Sequence, residues 1–284
     1  MALEALARPP RLMGVLNVTP DSFSDGGLHF DPQRAIERGL ELAEQGADYI
    51  DVGGESTRPG ARPVEARVER SRVEPVVRGL ARQTRVPISI DTTKVCVAEA
   101  ALAAGATIVN DVSAGLSDAD MLPLVQRAGS GYVLMHMQGT PRDMQRDPQY
   151  ADVVGEVIAF LRARVQACLS AGIESAQLWI DPGIGFGKTL DHNLALLRRL
   201  RELKVLGLPI LVGVSRKSFI GKINARLGAA EGPAASHQRL GGTAAAVSAC
   251  VLAGVDCLRV HDVAVMAEAA RVAFALSEPG LTGG

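Results

Sequence analysis

The sequence has no long uncharged apolar run, no surplus of charge and no paired cysteines, and each absence removes a class of protein. No uncharged stretch reaches the length that a membrane helix needs, so no span is expected. Lys and Arg number 30 against 31 Asp and Glu, a formal net charge of −1, and nothing in that balance argues for nucleic acid or an acidic membrane as a partner. A local anion site is compatible with it, because net charge is silent about clusters. Cys96, Cys168, Cys250 and Cys257 are scattered, with no Cys-x-x-Cys and no metal spacing, and are expected to be small core residues in a reducing cytosol. The first ten residues place Glu4 inside a short apolar stretch and follow it with Pro9-Pro10, which is not a signal-peptide layout. Ser/Gly-rich linkers and low-complexity tracts are missing too. The expectation is a cytoplasmic chain forming one domain over 1–284, with its core at about 11–276. Its 284 residues suit one large α/β barrel or two small domains, and 47% apolar content allows a sizeable core.

What is present is an alternation. Short β-branched, apolar runs predict strands at Leu12–Asn17, Tyr49–Gly53, Ile88–Asp91, Thr107–Asn110, Tyr132–His136, Leu178–Asp181, Ile210–Val214 and Cys257–Val260. Between them, apolar residues at turn spacing predict helices over Pro32–Gly46, Val64–Gln83, Val95–Ala104, Ala119–Ala128, Tyr150–Ala171, Leu194–Val205, Gly241–Ala253 and Val263–Leu276. The Ala- and Gly-rich stretch from Asn224 to Gln238 reads as a long loop. A β-then-α unit repeated eight times implies parallel strands joined by right-handed crossovers, and closes most simply into a (β/α)8 TIM barrel. An open doubly wound sheet would gather its functional residues at one switch point. Here polar residues decorate nearly every strand end, which favours closure.

Those strand ends carry the chemistry. Two polar, Gly-rich loops follow strands 1 and 2, and are expected to be long, mobile lids; Phe23 in the first and Thr57-Arg58-Pro59 in the second exceed what turn chemistry needs. Asp91 and Asp181 end buried strands, where a carboxylate is costly unless it meets donors. Asp91 reads either as a helix cap or as a ligand group. A carboxylate accepts two parallel N–H bonds from an amino-plus-ring-NH edge, and the Asn110 amide complements it, so two acids and an amide suit a nitrogen heterocycle. Lys217 reads as a Schiff-base lysine if desolvated. The neighbouring Arg216 and serines argue instead for a wet, anion-tolerant place, with Ser218 at a helix start. Arg259 and His261 share a face at strand 8, and with Arg58 form a candidate cationic cluster where this fold binds phosphate. Asn17, at the end of strand 1, offers an amide oxygen to Mg²⁺.

The segments Asn17-Val18-Thr19-Pro20-Asp21-Ser22-Phe23-Ser24-Asp25-Gly26-Gly27, Gly53-Gly54-Glu55-Ser56-Thr57-Arg58-Pro59-Gly60, Asp181-Pro182-Gly183-Ile184-Gly185-Phe186-Gly187-Lys188, Gly213-Val214-Ser215-Arg216-Lys217-Ser218 and Arg259-Val260-His261-Asp262-Val263 resemble the dihydropteroate synthase family, the sulfonamide target of folate synthesis. Five long pieces in order, between about Arg11 and Leu276, make the resemblance specific; Thr92-Thr93 vary a position that often differs in that family. The resemblance implies condensation of 7,8-dihydropterin-6-ylmethyl diphosphate with 4-aminobenzoate to 7,8-dihydropteroate and pyrophosphate. It implies a pterin site of Asp91, Asn110, Met135, Asp181 and Lys217, and a diphosphate site of Asn17, Arg58, Arg259 and His261 with Mg²⁺. It implies an aminobenzoate site of Thr57, Pro59, Phe186, Lys217 and Ser218 under Phe23, with Asp21 and Ser22 on the same loop. Asp91, Lys217, Arg259 and His261 would carry the catalysis, and the enzyme would be a homodimer. A pterin-dependent methyltransferase with a corrinoid partner, a pterin sensor without turnover, and a Lys217 aldolase are the rival readings.

Overall fold

The computed structural model describes residues 8–19, 31–57, 60–228 and 235–277. Eight parallel strands follow one another: β1 (Arg11–Asn17), β2 (Tyr49–Gly53), β3 (Ile88–Asp91), β4 (Ile108–Asp111), β5 (Gly131–Met135), β6 (Leu178–Asp181), β7 (Leu211–Gly213) and β8 (Cys257–Val260). They pair in the order β6-β5-β4-β3-β2-β1-β8-β7, and one parallel bridge, Ile180 to Ile210, joins the two ends. The sheet thus closes into the TIM barrel that the alternation predicts. The described helices are α1 (Pro32–Glu44), α2 (Ala66–Gln83), α3 (Val95–Ala104), α4 (Met121–Ala128), α5 (Val153–Ser170), α6 (Leu190–Arg198), α7 (Ser218–Arg226), α8 (Leu240–Leu252) and α9 (Val263–Ser277). None of them is long and apolar enough to cross a membrane.

Period-two alternation sorts the strand residues onto two faces. Outward positions such as Leu16, Ile50, Ile90, Leu134, Ile180, Val212 and Leu258 are buried in the main core beneath the helices. Inward positions low in the barrel form a separate cluster of Met13, Tyr49, Ile108, Val133, Leu211 and Cys257, with Trp179 packed on it. The Tyr49 and Trp179 rings meet edge-on, with centroids 5.4 Å apart. This plug seals the bottom. Two residues further along β2, β4, β6 and β8 the inward side chain is Asp51, Asn110, Asp181 or Arg259, so on these strands the lumen turns from apolar to polar within one pleat repeat.

Three expectations differ from what is seen. The helix expected over Leu194–Val205 is instead α6, which starts at Leu190, followed by a 3₁₀ segment, Leu200–Leu206. Thr189 moves the start forward: its hydroxyl accepts from the His192 amide at 3.2 Å while the His192 ring accepts from the Thr189 amide at 3.3 Å, a reciprocal cap. The expected loop from Asn224 begins later, because α7 runs to Arg226, and a 3₁₀ turn, Ser236–Arg239, interrupts its far end. Cys168, Cys250 and Cys257 are buried as expected, but Cys96 is exposed on α3. The expected lid after β1 lies mainly outside the described residues.

The connection after β6 is built against backbone. Gly183 and Gly187 have φ of +65° and +60°. A Cβ on Gly183 would overlap the His136 carbonyl oxygen, and one on Gly187 would strike the Gln138 carbonyl. Gly183→Ala therefore combines left-handed strain with a backbone clash, and should lower unfolding free energy by more than about 2 kcal/mol; urea titration against the parent measures it.

Candidate functional site

Three strands converge on one guanidinium. Arg259 on β8 donates from Nε to Asp51 Oδ2 and from Nη2 to Asp91 Oδ2, each at 2.6 Å. Asn110 donates from Nδ2 to the same Asp51 oxygen at 3.1 Å. An ionised carboxylate only accepts, so Asp51 fixes which end of the Asn110 amide faces it and leaves the carbonyl oxygen for a ligand. Asp51 Oδ1 and Asp91 Oδ1 are buried with no hydrogen-bond partner among the described residues. The floor is therefore an acidic surface with acceptor capacity to spare, the property required to hold a ring edge bearing N–H groups.

The electrostatics follow from two carboxylates sharing one cation. Burial pushes the Asp91 carboxyl up to about 7; Arg259 pulls against that, while Asp51 reinforces it. Burial works against the Arg259 cation, but Asp51 and Asp91 outweigh it and hold the guanidinium charged. Asp181, on the opposite wall, is raised by burial, opposed first by Lys217 and then by the Gly183 amide, which donates to its Oδ1 at 2.7 Å. Lys217 follows β7. Its ammonium sits 4.4 Å from the Phe186 ring centroid and donates to the Ile184 carbonyl. Burial pushes its pKa down to about 8, against the pull of Asp181.

The remaining predicted residues surround this floor. Met135 is buried and paired in register with Asp181. Asn17 stands half-buried at the end of β1, at the barrel mouth. His261 accepts or donates at Nδ1 with Ser215 Oγ, 3.0 Å away, and its amide also reaches that hydroxyl. Ser218 is exposed at the first position of α7. Thr57 and Asp91 line one cavity of about 330 Å³ beside the mouth. Phe23, Arg58 and Pro59, with Asp21 and Ser22, lie outside the described residues.

Two local expectations need correction. Lys217 is not in a wet, anion-tolerant surrounding: Arg216 turns away to a two-point pair with Asp262, at 2.9 and 2.5 Å, and Lys217 lies over an aromatic face. Arg259 does not stand with His261 in a free cationic cluster, because two of its nitrogens are committed to Asp51 and Asp91. Sequence reasoning also missed Asp51, whose signal was a lone acid inside the apolar run Tyr49-Ile50-Asp51-Val52. It missed the Lys94 ammonium, which bonds both Glu55 and buried Glu69, while Glu55 Oε1 accepts from the Val64 amide at 2.9 Å and so fastens the base of the loop after β2.

Comparison with known proteins gives the chain a family. A family model described as pterin binding enzyme matches residues 13–261. The dihydropteroate synthase of Mycobacterium leprae is 47% identical over 273 residues, covering 96% of this chain and 95% of its own. The Xanthomonas albilineans dihydropteroate synthase with 4-aminobenzoic acid superimposes with a TM-score of 0.86 at 47% identity, over 94% of this chain and 93% of that one. The enzyme of the same organism in complex with 7,8-dihydropteroate gives 0.83 at 43% identity, over 94% of each chain. The fold and the matched family are those of a pterin-binding enzyme. The chain belongs to the dihydropteroate synthase family within that class.

The shared cation yields a prediction. Asp51→Asn removes one negative neighbour of Asp91 and leaves Arg259 to Asp91 alone. The Asp91 titration, followed by carboxyl ¹³C NMR, should fall from about 7 by at least about one pH unit, worth about 1.4 kcal/mol.

Proposed function

We propose that this chain condenses 7,8-dihydropterin-6-ylmethyl diphosphate with 4-aminobenzoate, releasing pyrophosphate and forming 7,8-dihydropteroate in folate biosynthesis. The observation that carries the reading is the acidic floor, where Arg259 is shared by Asp51 and Asp91 and each acid keeps a buried oxygen with no partner among the described residues. Asp91 and Asp181 accept from the N–H edges of the pterin, Asn110 presents its fixed amide, and Met135 and Lys217 close the pocket. As the C–O bond to the diphosphate lengthens, its electron pair leaves with the phosphate and positive charge spreads from the methylene into the ring. The Asp91 carboxylate, held in low dielectric, stabilises that charge. The neutral arylamine then attacks through nitrogen and loses a proton, so no strong base is needed. Phe186, Lys217, Ser218 and Thr57 shape the aminobenzoate side, to which the family resemblance also assigns Pro59 and Phe23.

Arg58, His261 and the uncommitted face of Arg259 receive the diphosphate. Among the described residues no group of three His, Cys, Asp or Glu side chains could hold a metal. A cation at this mouth would draw most of its ligands from phosphate and water, which is the habit of Mg²⁺, and the neutral amide oxygen of Asn17 fits as its protein ligand. When bound, the ion would neutralise charge on the leaving pyrophosphate. The four free cysteines accord with a reducing cytoplasm.

This reading fixes a pH profile. Asp91 must be ionised and Lys217 protonated in the free enzyme, and their pKa values are about 7 and about 8. The value of kcat/KM for the pterin diphosphate should therefore fall below about pH 7 and above about pH 8. Asp91→Asn should abolish the acid limb and reduce turnover by more than about tenfold. Retention of turnover within about threefold would remove the charge-stabilisation role.

A homodimer is part of the proposal. Val265, Val272 and Leu276 lie at i, i+7 and i+11 of α9, one apolar stripe left 44, 56 and 79% exposed in the single chain. Light scattering should give twice the chain mass of 29.8 kDa, and Val272→Glu with Leu276→Glu should return the monomer.

A further inference from the structure

None of the roles above uses Lys188, the last residue of the segment after β6, yet it is 1% exposed and ranks among the largest fully buried side chains. Its ammonium has three N–H donors and three acceptors: the His136 ring Nδ1 at 3.0 Å, the His136 carbonyl at 3.3 Å and the Phe186 carbonyl at 2.9 Å. The imidazole is neutral, because burial and then the adjacent Lys188 push its pKa down to about 3. With the ring proton on Nε2, Nδ1 is a free acceptor, and the lysine is saturated in its protonated form, although burial pulls its pKa down to about 7. Burying an ammonium costs several kcal/mol even when paired, so a packing role alone would be filled better by an apolar side chain.

What the bonds join is specific. His136 follows β5, and Phe186 carries the ring beneath Lys217. Every carbonyl from Ile184 to Lys188 accepts from a side chain: Ile184 from Lys217, Gly185 from Gln145 at 2.6 Å, Phe186 from Lys188, Gly187 from the Tyr150 hydroxyl at 2.8 Å, and Lys188 from Asn193 at 3.4 Å. Lys188 alone among these donors also reaches back to the end of β5, and it acts on the backbone of the residue whose ring meets Lys217. We propose that Lys188 is a positioning residue for the aminobenzoate half of the site, locking the Phe186 backbone to the end of β5 and so setting the ring against Lys217. It acts through Phe186 and touches no substrate. The proposal rests on the function proposed above, which places Phe186 and Lys217 beside the aminobenzoate.

The test pairs two readouts on Lys188→Met in the full chain. Hydrogen exchange over 183–188 reads the lock without reference to any substrate and should quicken at least about tenfold. Steady-state kinetics should raise KM for 4-aminobenzoate about fivefold or more, with KM for the pterin diphosphate within about twofold. Unchanged exchange overturns the lock. Faster exchange with both KM values moving together, or neither moving, overturns the assignment to the aminobenzoate half. Absence of dihydropteroate formation by the parent enzyme defeats the functional reading separately, since the exchange result stands without it. If Lys188→Met does not fold, His136→Leu removes only the imidazole acceptor, and the same split should appear at about threefold in both readouts; no change in either overturns the proposal.

Discussion

The barrel depends on a charge imbalance at the floor of its mouth. One guanidinium stands between Asp51 and Asp91, contributed by three strands far apart in sequence, and two negative groups outnumber the cation. In water such an arrangement would be screened; over a plug of Met13, Tyr49, Val133 and Trp179 it is not. Burial first, and then Asp51, raise the Asp91 carboxyl against the pull of Arg259, which marks the cost of holding both acids charged here. A ligand that supplies N–H groups, or develops positive charge, relieves it. Recognition and rate acceleration thus draw on the same unbalanced pair, which is why an acid on this floor can both bind a heterocycle and stabilise a cation forming on it.

The two sides of the mouth are fastened by different contacts. The segment after β6 is fastened at each carbonyl from Ile184 to Lys188, and Gly183 and Gly187 lie against the backbone of the segment after β5, so it is a wall. The segment after β2 is held at its base, where Glu55 accepts from Val64 and pairs with Lys94, and at Gly60, whose amide donates to the Pro141 carbonyl at 3.0 Å.

The architecture was legible because the alternation of strand and helix is dense and the strands are short and β-branched. The residues on the floor were legible in part. Asp91, Asn110 and Asp181 each end an apolar strand and stand out, and the structure brings them to one lumen with Lys217 and Arg259. Asp51 did not stand out, since it is set inside its strand and its meaning depends on an arginine 208 positions away. Arg259 was legible as a cation but not as one already committed, because a local pattern carries no information on which carboxylates a closed barrel will bring across. The early start of α6 was missed for a different reason: a Thr–His cap departs from the Ser/Thr–Glu form that marks most helix starts.

The closure of the barrel has a consequence for its mechanics. Seven strand pairs are laddered, but β6 and β7 meet through the single bridge of Ile180 with Ile210. Asp181 stands at the top of one of these strands and Lys217 just beyond the other. A guest that bonds to both therefore laces the seam where the cylinder is thinnest. Occupying the mouth and holding the staves together become one event, and the empty protein should open first along that line.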